Sequence, residues 1–207
     1  MTRHSLRRGT LLAALATATL LGACAPLIVG GMMLGGTLVV TDRRTSGAQI
    51  EDQAIELKSM NRIRELLGDR GHVSTTSYNR LVLVTGEVPS EADKSAVEQA
   101  VQRIENVRSI VNELVIGGAT SIASRSNDAI LTSKVKASFI DARDLMANSI
   151  KVVTEHGTVY LMGRVTEREA DRASELARGI DGVHKVVRVF ELISEKELAE
   201  VQPRLGK

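Results

Sequence analysis

Before any fold is considered, one side chain of this 207-residue sequence stands where chemistry is expected of it: Cys24, the sole cysteine. Arg3, Arg7 and Arg8 precede an apolar run over residues 11–21, and Leu21-Gly22-Ala23-Cys24 closes it. A basic stretch, a short apolar stretch and small residues before a cleavage point are the parts of a secretory signal peptide. A cysteine directly after the small pair supplies the sulfur that accepts a diacylglyceryl group, so the pattern reads as a bacterial lipobox. Residues 1–23 are then expected to be removed and Cys24 to become the first residue of an acylated chain. Three acyl chains, the usual number for such a cysteine, exceed the two signals that stable anchoring needs. Residue 25 is Ala and not the Asp that retains such proteins at the inner membrane, which points to the outer membrane, periplasmic face.

Other chemistry is sparse. A lone cysteine leaves no internal disulfide and no multi-cysteine metal site. His4 departs with the signal peptide. His72, His156 and His184 have no cysteine or carboxylate at metal-ligand spacing along the chain, so no metal and no cofactor is expected. No Gly-x-Ser-x-Gly nucleophile motif occurs, and the glycine-rich residues 30–36 lack the Lys-Ser/Thr of a phosphate loop. Glu87, Glu91 and Glu169 read as cap and surface charges. A non-enzymatic protein is the expectation. Loss of the three signal-peptide arginines takes the formal net charge from +2 to −1, which leaves no global basic field for nucleic acid.

The elements that must position any site come next. Residues 25–40 are apolar but hold four glycines and fall short of the roughly twenty residues a membrane span needs. With Cys24 they are expected to form a flexible tether over residues 24–47, with Asp42-Arg43-Arg44-Thr45-Ser46-Gly47 marking the passage into water. Aromatic residues make up only 2% of the chain, so its cores must be aliphatic and modest. Residues 81–114 and 158–192 repeat each other at an offset of about 76: Gly86 matches Gly163, and Val88 matches Val165. In each copy a helix (51–67 or 127–140) precedes a strand (72–78 or 150–154). A tight turn, Asn79-Arg80 or Glu155-His156-Gly157, leads to a second strand (81–88 or 159–165). A second helix (about 90–104 or 167–180) and a β-branched strand (107–116 or 183–193) complete the unit. Ser90 and Thr166 each open the second helix as a cap, expected to be analogous and out of register. The pattern is αββαβ twice, an α+β protein in which two helices cover one face of a three-stranded sheet. The units span residues 48–117 and 126–194, joined by 118–125, and the charged tail 195–207 is expected to fray.

Ala129-Ile130, the strands around residues 152–159, Leu161-Met162-Gly163-Arg164-Val165 and Gly182-Val183 through Phe190 resemble the BON domain. Two such domains behind a lipobox resemble the dual-BON outer-membrane lipoproteins. Thr41-Asp42-Arg43-Arg44 and Ser126-Asn127-Asp128 add to the likeness, which runs to about residue 193. The resemblance implies a protein that binds anionic phospholipids, phosphatidylglycerol and cardiolipin, through the first helix of its second domain. It also implies a role in outer-membrane integrity, enrichment at division sites and contact with the outer-membrane assembly machinery.

A helical wheel shows what the residues themselves say of that surface. In the first unit Ile55, Met60, Ile63, Leu66 and Leu67 gather on one side, enough to cover a sheet. In the second, Leu131, Val135 and Phe139 form the sheet-facing stripe. Ile130, Ala137 and Ile140 fall on a second, roughly opposite side, flanked by Lys134 and Lys136. An apolar patch edged by lysines suits shallow contact with a lipid surface. The same patch would also serve to pack against the other domain or to dock a protein partner. Where this chain has Ile130, the resembling lipoproteins carry a tryptophan.

Overall fold

Alternation along the central strands sets the architecture. The computed structural model describes residues 42–118 and 120–201. Cys24 and the rest of the expected signal peptide and tether up to residue 41 lie outside the described residues. The first domain runs α1 (Ser46–Leu67), β1 (His72–Tyr78), β2 (Leu81–Val88), α2 (Glu91–Gln102) and β3 (Ser109–Ile116). The second runs α3 (Ile122–Asp141), a 3-10 turn (Ala147–Ser149), β4 (Ile150–Glu155), β5 (Thr158–Val165), α4 (Glu167–Arg178) and β6 (Lys185–Leu192), and α5 (Glu195–Val201) follows. Each sheet has its middle strand antiparallel to the preceding strand and parallel to the following one. This is the expected α+β arrangement of two αββαβ units.

Odd and even residues of the middle strands serve different interiors, because successive side chains of a strand point to opposite faces. Val82, Val84 and Val88 of β2 meet Ile55, Ile63 and Leu67 of α1 and Val97 and Val101 of α2. Val159, Leu161 and Val165 of β5 likewise meet Val135 and Phe139 of α3 and Ala170, Ala173 and Ala177 of α4. Each such valine, leucine, isoleucine or phenylalanine side chain contributes about 1.5–3 kcal/mol on burial. The other faces of the two sheets pack on each other through Tyr78, Leu83, Tyr160, Met162 and Val189. The layers therefore run helix, sheet, sheet, helix. Burial pushes the Tyr78 phenol up to about 12.

The repeat extends to single hydrogen bonds. Asn79 and Arg80, and His156 and Gly157, take positive φ, as two-residue hairpins of this twist require. In the first domain Asp52 of α1 accepts from the backbone N–H groups of Asn79 and Arg80 at 2.7 and 2.8 Å. In the second, Asp128 of α3 accepts from His156 and Gly157 at 3.0 and 2.8 Å. A carboxylate on the first helix thus clamps each hairpin.

Several expectations need correction. Ser90 and Thr166 cap α2 and α4 at the same structural position, Ser90 through Asp93 N–H and Thr166 in a full capping box with Glu169. They looked out of register because Pro89 lengthens the first connection by one residue. Both first helices begin earlier than hydrophobic periodicity suggests, at Ser46 behind the Thr45 cap and at Ile122 behind the Ser121 cap. Residues 195–201 form a helix opened by Ser194 and hold Leu198 buried.

The passage 42–47 also differs from the expected tether end. Arg43 is buried and forms two hydrogen bonds to Glu169, at 2.8 and 2.7 Å, and a third to the Arg164 carbonyl at 2.7 Å. Glu169 is therefore a buried partner and not a surface charge. Burial opposes its ionisation, but the Arg43 guanidinium and the Thr166 N–H outweigh burial and hold the carboxyl below its usual range. Arg44 lies 4.2 Å over the Tyr78 ring and pairs with Asp42 and Asp52. The segment before α1 is thereby fastened across both domains.

Candidate functional site

Helix α3 is built to bury one face and present another. Ser121 accepts from Ser124 N–H to start it, and Asp128, Leu131, Val135 and Phe139 are its buried residues. On the outward side Ile122, Ile130 and Ile140 are 76%, 54% and 71% exposed. Ala129, Ser133, Lys134, Lys136 and Ala137 are exposed with them. At a 1.5 Å rise per residue the isoleucine row is about 27 Å long. The seryl hydroxyls along it turn inward: Ser126 donates to the Ile122 carbonyl at 2.9 Å and Ser133 to the Ala129 carbonyl at 3.0 Å. Those bonds hide polar atoms and leave the row more apolar than its sequence suggests.

All five residues singled out in the sequence (Ile130, Lys134, Lys136, Ala137 and Ile140) therefore share one solvent-facing side. Ile130 and Ile140 stay exposed and lie outside the apolar contact between the two sheets. Phe139, by contrast, belongs to the core. Lys134 and Lys136 form no ion pair among the described residues. At the C-terminal end of the row a cleft of about 290 Å³ is lined by Asp42, Arg44, Tyr78, Lys136, Ile140 and Lys151, with other residues. Asp42, the first described residue of the expected tether, thus lies beside the end of the row.

The first helix is less simple than its wheel. Ile55, Ile63 and Leu67 are buried as expected, but Met60 and Leu66 are exposed, as are Ile50 and Leu57. Asp52 and Ser59 take up part of its buried face instead.

A second cluster escaped the sequence reading. The ligand-capable atoms of Glu87, Glu155 and His156 all lie within 4.8 Å of one another. His156 Nε2 is 2.7 Å from Glu87 Oε1. The Thr120 hydroxyl hydrogen-bonds to both Glu87 and His156. The expectation that no histidine has a carboxylate at metal-ligand spacing fails in space, where Glu87 and Glu155 meet His156. Glu87 and His156 come from different domains, so no sequence spacing could reveal them. Burial, and then the Glu87 carboxylate, push the Glu155 carboxyl up. No helix among the described residues is long and apolar enough to cross a membrane.

Comparison with known proteins agrees with the geometry. Residues 51–118 and 127–193 each match the BON domain. The chain is 37% identical to the outer membrane lipoprotein DolP of Haemophilus influenzae, over 86% of this chain and 92% of that one. It is 28% identical to a 21 kDa hemolysin of Actinobacillus pleuropneumoniae, over 73% and 79% of the two chains. It is 26% identical to osmotically-inducible protein Y of Escherichia coli, over 73% and 77%. The chain belongs to the BON-domain family.

Proposed function

We propose that this BON-domain protein is an outer-membrane lipoprotein, held at the periplasmic face by acylated Cys24, that reads anionic phospholipid through α3. The observation that carries the reading is the exposed row of Ile130, Ala137 and Ile140 between two unpaired lysines. Isoleucine side chains entering between headgroups gain apolar burial, while Lys134 and Lys136 remain at phosphate level. Phosphatidylglycerol and cardiolipin are the anionic lipids such a surface would select. The position of Asp42 beside Ile140 supports the same reading, since a tether leaving there would bring anchor and row to one surface. The anchor would then raise the effective lipid concentration at a weak site. The likeness to an outer membrane lipoprotein supports the compartment, and the proposed role is support of outer-membrane integrity.

Sedimentation with liposomes tests the reading. A truncated form beginning at Asp42 keeps the Arg43 and Arg44 contacts and removes the anchor. It should pellet with phosphatidylglycerol or cardiolipin vesicles and not with phosphatidylcholine vesicles. Ile130→Glu and Ile140→Glu should each abolish pelleting without loss of folding. If the truncated form ignores anionic vesicles, the lipid reading fails and the row belongs to a protein partner.

A further inference from the structure

We infer that Glu87, Glu155 and His156 form a divalent transition-metal site, best suited to Zn²⁺, that ties the two domains together. Glu87 stands near the end of β2 and Glu155 at the end of β4, on the sheet faces that meet in the domain contact. Glu87 is buried. Its contacts are Thr120, through N–H and hydroxyl, and His156 Nε2. Neither glutamate has a lysine or arginine partner among the described residues. Two carboxylates thus converge on an imidazole with no fixed cation to balance them, an arrangement a divalent ion would neutralise.

The donor set fits zinc. Zinc takes imidazole nitrogen and carboxylate oxygen at about 2.0–2.2 Å in tetrahedral geometry, which puts neighbouring ligand atoms about 3.3 Å apart. Ligand atoms gathered within 4.8 Å of one another lie close to that spacing. Calcium and magnesium prefer six or more oxygens, and an imidazole argues against both. The fourth position has two candidates. The Thr120 hydroxyl already lies inside the cluster. His72 is the direct register partner of Glu87 across β1 and β2, so its side chain rises from the same sheet face. The backbone prepares the site as well: Asp128 holds the His156 and Gly157 N–H groups and fixes the turn that carries the imidazole.

Ligands from β2, the joint and the β4–β5 turn would make the metal a staple between domains. Its test is a titration of untagged full-length protein in detergent, stripped by chelator, with Zn²⁺, Co²⁺, Ca²⁺ and Mg²⁺ followed calorimetrically. One equivalent of Zn²⁺ should bind, Ca²⁺ and Mg²⁺ should not, and Co²⁺ should give visible d–d absorption. Glu155→Gln and His156→Ala should each weaken Zn²⁺ at least tenfold while circular dichroism stays unchanged. Both residues lie at least partly at the surface, so these variants should fold even where a change at buried Glu87 does not. The wild-type Co²⁺ spectrum gives a readout that needs no variant. Absence of saturable Zn²⁺ binding, or Zn²⁺ affinity untouched by both substitutions, overturns the site.

Discussion

Helices α1 and α3 hold the same place in two copies of one unit, and both leave isoleucine or leucine in solvent. Apolar exposure alone therefore does not separate them. Their surroundings do. Between them α1's residues carry four acids and three bases, whereas α3 carries three bases and two acids. Two of the three cations of α1 are engaged, Lys58 with Glu105 and Arg62 with Glu65, and its Glu56 is taken by Lys151 of the second domain. Arg44 adds a further tie through Asp52. Helix α1 is committed to holding the molecule together. Helix α3 spends its buried side on its own core and leaves Lys134 and Lys136 unpaired among the described residues. In this duplicated fold the proposed binding face is the one that joins apolar exposure to charge of one sign left unpaired among the described residues.

The largest effect should come from unfastening the committed side. Arg43→Ala leaves Glu169 buried without its guanidinium, and breaking such a pair costs about 3–5 kcal/mol. Urea unfolding of the form beginning at Asp42 should show that loss, and a loss below about 1 kcal/mol would mean that the segment before α1 is only loosely held. Next in size is charge reversal on the free helix. Lys134→Glu with Lys136→Glu should weaken binding to anionic vesicles by at least about thirtyfold, since each lysine near such a surface is worth about 1 kcal/mol. Lys58→Glu with Arg62→Glu on α1 should change it little. Equal losses from the two pairs would erase the distinction drawn here and leave only net charge.

A smaller effect should separate the two hairpin clamps. Asp52→Ala and Asp128→Ala both orphan two backbone N–H groups, but Asp52 also accepts from Ser77 at 2.6 Å and pairs with Arg44. It should cost about 1–1.5 kcal/mol more than Asp128→Ala. Burial opposes ionisation of Asp52, but the Ser77 hydroxyl, the Arg80 and Asn79 N–H groups and Arg44 together hold its carboxyl below the usual range. A depressed folded-state value means that stability is fully present above the unfolded value, near about 3.9, and is lost as pH falls through the lower folded one. The stability gap between wild type and Asp52→Ala should therefore narrow in that acid window. A gap constant from neutral pH to the acid limit would show that the carboxylate's charge contributes nothing.

Local features were legible in the sequence because local physics makes them. The repeat, with β-branched runs bounded by turn residues, located the strands, and β1 and β2 run over the expected residues. The stripe Leu131, Val135 and Phe139 was visible because one helix face must cover one sheet. What stayed hidden depends on contacts distant in sequence. Arg43 reads as a solvated charge until the fold brings it to Glu169, 126 positions away. Glu87 and His156 look like a cap charge and a turn residue until the sheets stack. Met60 and Leu66 looked buried because a wheel records direction but not what covers each position. The five residues of the α3 row were legible for the opposite reason, since nothing distant among the described residues covers them.

The smallest expected effect is the sharpest test of how α3 meets a surface. Ile130 is more than half exposed midway along the row, where the resembling lipoproteins carry tryptophan. Isoleucine gains only apolar burial there, whereas tryptophan offers a larger ring and an N–H that stays at headgroup level. Ile130→Trp should therefore tighten binding to anionic vesicles by less than about tenfold, under about 1.4 kcal/mol, and leave folding unchanged. Its indole fluorescence should shift to the blue on binding, in a chain that has no other tryptophan. The same substitution at Leu57 of α1 should leave both affinity and emission unchanged. A blue shift at Leu57 and none at Ile130 would assign the membrane to the wrong helix, and the roles of α1 and α3 would have to be exchanged.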